Sequence, residues 1–134
     1  MRIHREPCPL PVTRAFAAIV EETIAGAGIN SDHGIVLNFR DPTYSPDTGG
    51  FHPVEVAVSS GGHLTYVTDF TYVGQPMFAE LVKEIDFDFG QGIFQHMGRV
   101  FPIKDGRDLF SSWQANFCAY YRAGVYQVSV EEMA

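Results

Sequence analysis

Apolar residues at Val12, Phe16, Ile19, Val20 and Ile24 recur at helical spacing, and Arg14, Glu21 and Glu22 fall on the opposite side of the same helical wheel. The stretch predicts an amphipathic helix. Pro11 suits its first turn, and Gly26 or Gly28 suits its end, because glycine accepts the left-handed conformation found there. Gly34 to Arg40 is rich in extended-chain formers and stops at Asp41-Pro42, a turn-starting pair, so it reads as a strand. His52 to Ser60 and His63 to Val73 flank Gly61-Gly62 and predict a β-hairpin that pairs Ser60 with His63, Val56 with Val67 and Val54 with Asp69. Val54, Val56, Val58 and Val67 then share one face, and Tyr66, Phe70 and Tyr72 the other. Apolar groups on both faces make the second strand internal to its sheet.

Further along, Pro76 to Glu84 reads as a short helix, and Ile85, Phe87 and Phe89 alternate with Asp86 and Asp88 as a strand with one dry and one wet side. Ile93 to Met97 and Val100 to Ile103 are shorter strands, the second placed at an edge by Pro102. A last helix, capped by Asp105 or Asp108 and running to about Arg122, carries Leu109, Phe110, Trp113, Phe117, Tyr120 and Tyr121 on one broad face, which reads first as core and second as a stack for a flat ligand. Its opposite side, Ser112, Ala115 and Ala119, is small enough for close packing against another segment or a second subunit. Val125 to Val130 supplies a final strand. The expectation is an α+β fold in which an antiparallel or mostly antiparallel sheet of five or six strands is packed by an N-terminal helix and a C-terminal aromatic-faced helix.

Composition narrows the functional classes. The chain has 134 residues, 46% of them hydrophobic, which suits one domain over 1–134 with an irregular segment at 1–10. A formal charge of -7, with the bases dispersed from Arg2 to Arg122, disfavours nucleic acid as a partner. The longest clean apolar run, Ala15 to Val20, is too short for a membrane span, and the first residues do not resemble a signal peptide, so a cytoplasmic protein is expected. Cys8 and Cys118 have no metal-like spacing; Cys118 reads as a buried side chain and Cys8 as a surface thiol.

The stretch from Arg40 to Glu55 concentrates chemistry: Arg40, Asp41, Tyr44, Asp47, His52 and Glu55 share a glycine-containing loop, and loops on rigid sheets often carry function. A histidine beside carboxylates suits general acid-base work. The plainer reading gives Asp41 and Asp47 turn hydrogen bonds and lets His52 begin a strand. Asp69, on the valine-bearing face, would be costly to bury without an answering donor from His52, Arg40 or a backbone amide; alternatively it tethers a loop at the wet end of the sheet. Asp41, His52 and Asp69 are therefore the catalytic candidates, and Arg40, Tyr44, Asp47 and Glu55 the ligand-binding ones. No metal or cofactor is expected, because His52 and Glu55, three apart on a strand, point to opposite faces, and no phosphate-loop, nucleophile-elbow or paired-cysteine pattern occurs. Glu80, Glu84, Asp86 and Asp88 form an acidic stripe that is either a solvated face or a mimic of nucleic-acid phosphates.

In order along the chain, Asn38-Phe39-Arg40-Asp41-Pro42, Tyr44-Ser45, Gly49-Gly50-Phe51-His52-Pro53-Val54-Glu55, Thr68-Asp69-Phe70, Tyr72-Val73-Gly74, Asp86-Phe87-Asp88-Phe89, Trp113-Gln114 and Asn116-Phe117 resemble the uncharacterised bacterial family DUF2787, a domain of unknown function. The resemblance runs from about Gly34 to Val130. It implies a bacterial protein and carries no activity or site residues. Three readings of function follow: a non-enzymatic binding or regulatory module acting through protein contacts, with a homodimer as one form; a small enzyme or ligand-binding protein with an Asp/His/Tyr site in the 40–55 loop; and an acidic nucleic-acid mimic.

Overall fold

The computed structural model describes residues 1–29 and 32–133, so residues 30, 31 and 134 of the expected domain lie outside it. Helix α1 (Arg14–Ala27) is followed by strands β1 (Ile35–Arg40), β2 (Val54–Val58), β3 (Leu64–Val73), β4 (Glu80–Asp88), β5 (Ile93–His96) and β6 (Arg99–Pro102), then helix α2 (Arg107–Arg122) and strand β7 (Gln127–Glu132). The sheet has seven strands in the order β6-β5-β4-β3-β2-β1-β7, and every neighbouring pair is antiparallel. Strands β1 to β6 form a meander; α2 then carries the chain back so that β7 closes beside β1.

The α+β class and the two packing helices match the sequence pattern, whereas the strand count does not: all of the extended segments join one sheet. Within Pro76 to Glu84, only Pro76–Phe78 is helical, as a single 3-10 turn, and Glu80 already begins β4. The long β3 strand enforces this. Its end, Phe70 to Val73, pairs with Lys83 to Glu80, so the ladder satisfies backbone groups that a helix would have used internally. Pro102 lies on edge strand β6, where its missing N–H costs no ladder bond.

Several local expectations shift by a residue or two. Thr13, not Pro11, defines the start of α1: its Oγ1 accepts the Phe16 N–H at 3.1 Å, and Gly28 at φ 66° ends the helix. Helix α2 has no side-chain cap. Gly106 stands at its N-cap after a 3-10 turn over Ile103–Gly106, and neither Asp105 nor Asp108 accepts the capping bond. In the β2–β3 hairpin the pairs Val54–Asp69 and Val56–Val67 form, but an irregularity at Ala57/Val58 slips the register, so Ser59 rather than Ser60 faces His63.

One interior is shared by both helices and the sheet. Phe16 of α1 meets Phe110, Trp113 and Phe117 of α2 edge-on at 5.6 to 6.3 Å; Phe39 of β1 meets Phe117, and Phe87 of β4 meets Phe110. Such aromatic pairs add to the gain from burial itself. Gln114 is a buried polar member of α2: its Oε1 accepts the Thr13 N–H at 2.9 Å and its Nε2 donates to Pro11 O at 3.0 Å, joining the start of α1 to α2. The expected wet side of β4 is not wet throughout. Asp86 is buried, accepts from Thr68 Oγ1 at 2.7 Å and lies 3.6 Å from Lys83 Nζ, which breaks the acidic stripe.

Candidate functional site

Four elements converge at one end of the sheet: the 41–53 loop, β3, β4 and α2. The loop is shaped by Asp41, whose Oδ1 accepts from the Thr43 N–H and hydroxyl at 2.9 and 2.7 Å while Oδ2 accepts from the Phe51 N–H at 3.0 Å. These bonds hold its carboxyl below the ordinary aspartate range. Gly50 lies at φ 137°, and a Cβ there would stand 2.8 Å from Asp41 Oδ2 and 3.0 Å from Tyr44 Cα. A side chain is thereby excluded, and the chain passes close enough for the loop to close. Tyr44 pins the other side. Its hydroxyl accepts from the Tyr72 N–H at 3.2 Å and lies 3.3 Å from Thr71 Oγ1, while its ring packs on Tyr72 and His52 at 5.1 and 5.4 Å.

Held in this way, the loop delivers Phe51 onto the Tyr120 ring at 4.6 Å and His52 onto Asp69. His52 Nδ1 lies 3.0 Å from Asp69 Oδ1, and the other carboxylate oxygen, Oδ2, accepts from Trp113 Nε1–H at 3.0 Å. Burial pushes the Asp69 carboxyl up, against the lowering effect of the Trp113 and His52 bonds. Desolvation wins because the carboxylate sits on the helix-covered side of an internal strand.

Glu84 reaches the same place through a bulge. The β3–β4 register slips between Asp69 and Phe70: Asp69 faces Ile85 and Phe70 faces Lys83, leaving Glu84 without a partner on β3, although its carbonyl still accepts the Met97 N–H on the other side. Strict alternation would send Glu84 to the side opposite Ile85. The extra residue instead re-aims it, and its Oε2 lies 2.6 Å from His52 Nδ1.

Beside these groups opens a cleft of about 330 Å³, its walls formed by Phe51, Trp113, Phe117, Tyr120 and Tyr126, its rim by Asn116, and its polar end by His52 and Asp69. Burial, with help from the charge on Asp69, pushes the Tyr126 hydroxyl well above its ordinary range, so it remains a neutral phenol. It is a hydrogen-bond donor at neutral pH.

Of the residues singled out in the sequence, His52, Asp69 and Tyr44 are brought together, with Tyr44 contributing its ring rather than its hydroxyl. Asp41 shapes the loop. Arg40 is exposed at the end of β1, where it faces Gln127 of β7, and Asp47 is exposed at the loop tip. Glu55 lies on the other side of the sheet, where its carboxylate accepts the Tyr66 hydroxyl. Three members were not placed in this site by the sequence. Glu84 reads as part of the acidic stripe because alternation hides the bulge, Trp113 reads chiefly as core, and Tyr126 reads as part of the last strand, whereas β7 begins one residue later at Gln127. Among the described residues no helix is long and apolar enough to cross a membrane.

A model of the family described as "Protein of unknown function (DUF2787)" matches residues 14–131. The chain belongs to this family. No curated protein matches it. Among solved structures, it is similar to the hypothetical protein VC0508 from the VSP-II pathogenicity island of Vibrio cholerae, at 34% identity and TM-score 0.82 over 96% of this chain and 99% of that one. It is also similar to the conserved hypothetical protein VC1805 from pathogenicity island VPI-2 of Vibrio cholerae, at 36% identity and TM-score 0.81 over 94% and 98% of the two chains. VC1805 is described as sharing structural homology with the human P32 protein. Membership in DUF2787 thus spans the whole site, from the Asp41 loop to the Trp113 helix.

Proposed function

We propose that this DUF2787 protein is a ligand-binding module of the bacterial cytoplasm whose recognition site is the aromatic cleft ending in His52 and Asp69. One observation carries the reading: a buried carboxylate and an imidazole, bonded to each other, stand at one end of a trough with five aromatic walls. Clefts that combine apolar walls with a few convergent polar groups are typical small-ligand sites. The fitting ligand has a flat apolar body, for the rings, and a polar head that meets His52, Asp69 and the Tyr126 hydroxyl. Capture fits better than turnover. Among the described residues that line the cleft there is no serine, threonine or cysteine beside His52 to serve as an activated nucleophile. The Vibrio relatives support a bacterial source, and two free cysteines suit a reducing compartment.

The test is an NMR titration of the full chain with benzylamine, benzoate and phenol. Saturable shifts of Phe51, Trp113 and Tyr126 signals with at least one probe, weakened several-fold by Tyr120→Ala or Asn116→Ala, are expected. Absence of saturable shifts with every probe up to about 10 mM, a range suited to ligands of so few atoms, overturns the proposal.

A second reading, capture of a partner protein, is favoured by Met77 and Phe78, which are 89% and 78% exposed in the turn between β3 and β4. A partner recovered by wild-type protein and lost to a Met77→Ser, Phe78→Ser variant supports this reading; equal recovery by both removes it.

A further inference from the structure

Beside the cleft, three donor side chains from three different parts of the chain meet at a single atom. His52 Nδ1 stands 3.0 Å from Asp69 Oδ1 and 2.6 Å from Glu84 Oε2, and the three donor atoms all fall within 4.8 Å of one another. A ring nitrogen carries at most one proton, directed along one line in the ring plane, so it cannot give a full hydrogen bond to two carboxylates at once. Two carboxylates gathered at one point also disfavour each other's charge. A multivalent cation removes both difficulties, because it accepts several donors in several directions. The spacing is close to that of a shared ion: two ligands each about 2.0–2.1 Å from one ion stand about 2.9 Å apart at right angles and about 3.3 Å apart at the tetrahedral angle, so the donors seat it by spreading less than about 1 Å.

We propose that His52 Nδ1, Asp69 Oδ1 and Glu84 Oε2 form a binding site for a divalent first-row transition ion of the zinc type. The donor set selects the class. An imidazole nitrogen suits zinc and its neighbours, whereas calcium and magnesium prefer all-oxygen surroundings. The supporting contacts match those of a built site. Trp113 Nε1–H holds Asp69 Oδ2, which fixes the carboxylate and leaves Oδ1 for the ion. The Tyr44 ring packs against the imidazole, and the bulge at Glu84 places the third donor where a regular ladder would not. Side-chain exposures of 35%, 16% and 29% for His52, Asp69 and Glu84 leave a path for an ion to enter. Because His52 and Asp69 also line the cleft, a bound ion would lie at its polar end. Three protein donors leave at least one coordination position for a ligand.

Trp113, the single tryptophan of the chain, is a built-in reporter, since its indole nitrogen is 3.0 Å from one of the proposed ligands. This matters because His4 and His63, stacked at 5.0 Å, offer another pair of imidazoles to a metal. The test is titration of the full chain with Co²⁺ followed by Trp113 fluorescence, with Zn²⁺, Mg²⁺ and Ca²⁺ as competitors. The proposal expects saturable quenching that Zn²⁺ reverses and Mg²⁺ and Ca²⁺ do not. Glu84→Gln should weaken the apparent affinity at least about tenfold, and Glu55→Gln, on the opposite face, should leave it unchanged. No quenching up to about 1 mM Co²⁺, displacement by Mg²⁺ or Ca²⁺, or wild-type affinity in folded Glu84→Gln overturns it. If Glu84→Gln fails to fold, the wild-type protein decides: Co²⁺ must broaden the His52 ring signals before those of His4 and His63, and the reverse order sinks the assignment. Failure here leaves the response of the cleft to aromatic probes untouched, so the two proposals fall separately.

Discussion

The indole N–H of Trp113 donates to Asp69 Oδ2 at 3.0 Å, a bond that ties α2 to the third strand of the meander across the floor of the cleft. A carboxylate on the core side of a sheet survives because each of its oxygens has a partner, His52 for one and Trp113 for the other. Trp113→Phe keeps an aromatic ring in the core but removes the donor. Its expected cost is about 1–3 kcal/mol, the usual penalty for leaving a buried acceptor short of its partner, measured as a fall in the urea midpoint at unchanged slope.

Asp41 gives a pH dependence with a definite sign. Its folded carboxyl is held low by the Phe51 and Thr43 donors, so the unfolded chain takes up a proton first as pH falls. The loop contacts are therefore fully present above the ordinary aspartate pKa and are lost only as pH drops through the lower folded value. The amide resonances of Thr43 and Phe51 should titrate with a midpoint below 3.8, the ordinary aspartate value. Asp41→Asn should abolish that transition.

Two adjacent glycines separate backbone strain from steric exclusion. Gly49, at φ 69°, has open space where a Cβ would go, whereas Gly50, at φ 137°, would drive a Cβ against Asp41 Oδ2 and the Tyr44 backbone. Gly49→Ala should cost about 1 kcal/mol, for the left-handed conformation alone. Gly50→Ala should cost more, of order 1–3 kcal/mol, and should also displace Phe51 and His52, abolishing any probe response of the cleft. Paired thermal melts and the aromatic-probe titration check both statements.

How far the sequence foretold this site depends on which contacts are periodic. Phe16, Phe39, Val56 and Phe117 sit where helical or alternating spacing puts them, since burial of an apolar face is what those periods encode. The Val54–Asp69 pairing follows from counting back from the Gly61-Gly62 turn, and it holds because two one-residue shifts cancel: the turn sets Ser59 rather than Ser60 against His63, and the irregularity at Ala57/Val58 restores the register beyond it. The place of Glu84 beside His52, rather than in the acidic stripe, is hidden because nothing cancels its shift. A bulge shifts a side chain by one residue without any change in composition, and the preceding proline and apolar residues also fit a helical turn. Trp113 illustrates a subtler limit: its ring belongs to the core, as its spacing says, but only coordinates reveal where its N–H points.

Gln114 tests whether the two helices are joined by packing alone. The side chain is buried completely, takes the Thr13 N–H at 2.9 Å and gives its own N–H to Pro11 O at 3.0 Å and Phe110 O at 3.4 Å. Thr13 is the N-cap residue of α1, so this bond satisfies a backbone donor just outside the helix, while the Thr13 side chain serves Phe16. Leu at position 114 fits the space yet answers neither the N–H of half-buried Thr13 nor the carbonyl of exposed Pro11, which must turn to water instead. Gln114→Leu should therefore destabilise the fold by about 1–3 kcal/mol, the cost of leaving a half-buried backbone group short of its partner, even though it adds apolar surface to the core. Gln114→Glu separates shape from charge: it keeps the acceptor for Thr13 but loses the donor for Pro11 and buries a carboxyl. Its stability should recover toward wild type only as the pH is lowered enough to protonate that group, a direction opposite to that expected from Asp41. Denaturant melts of the wild type and both variants across acid and neutral pH measure the difference.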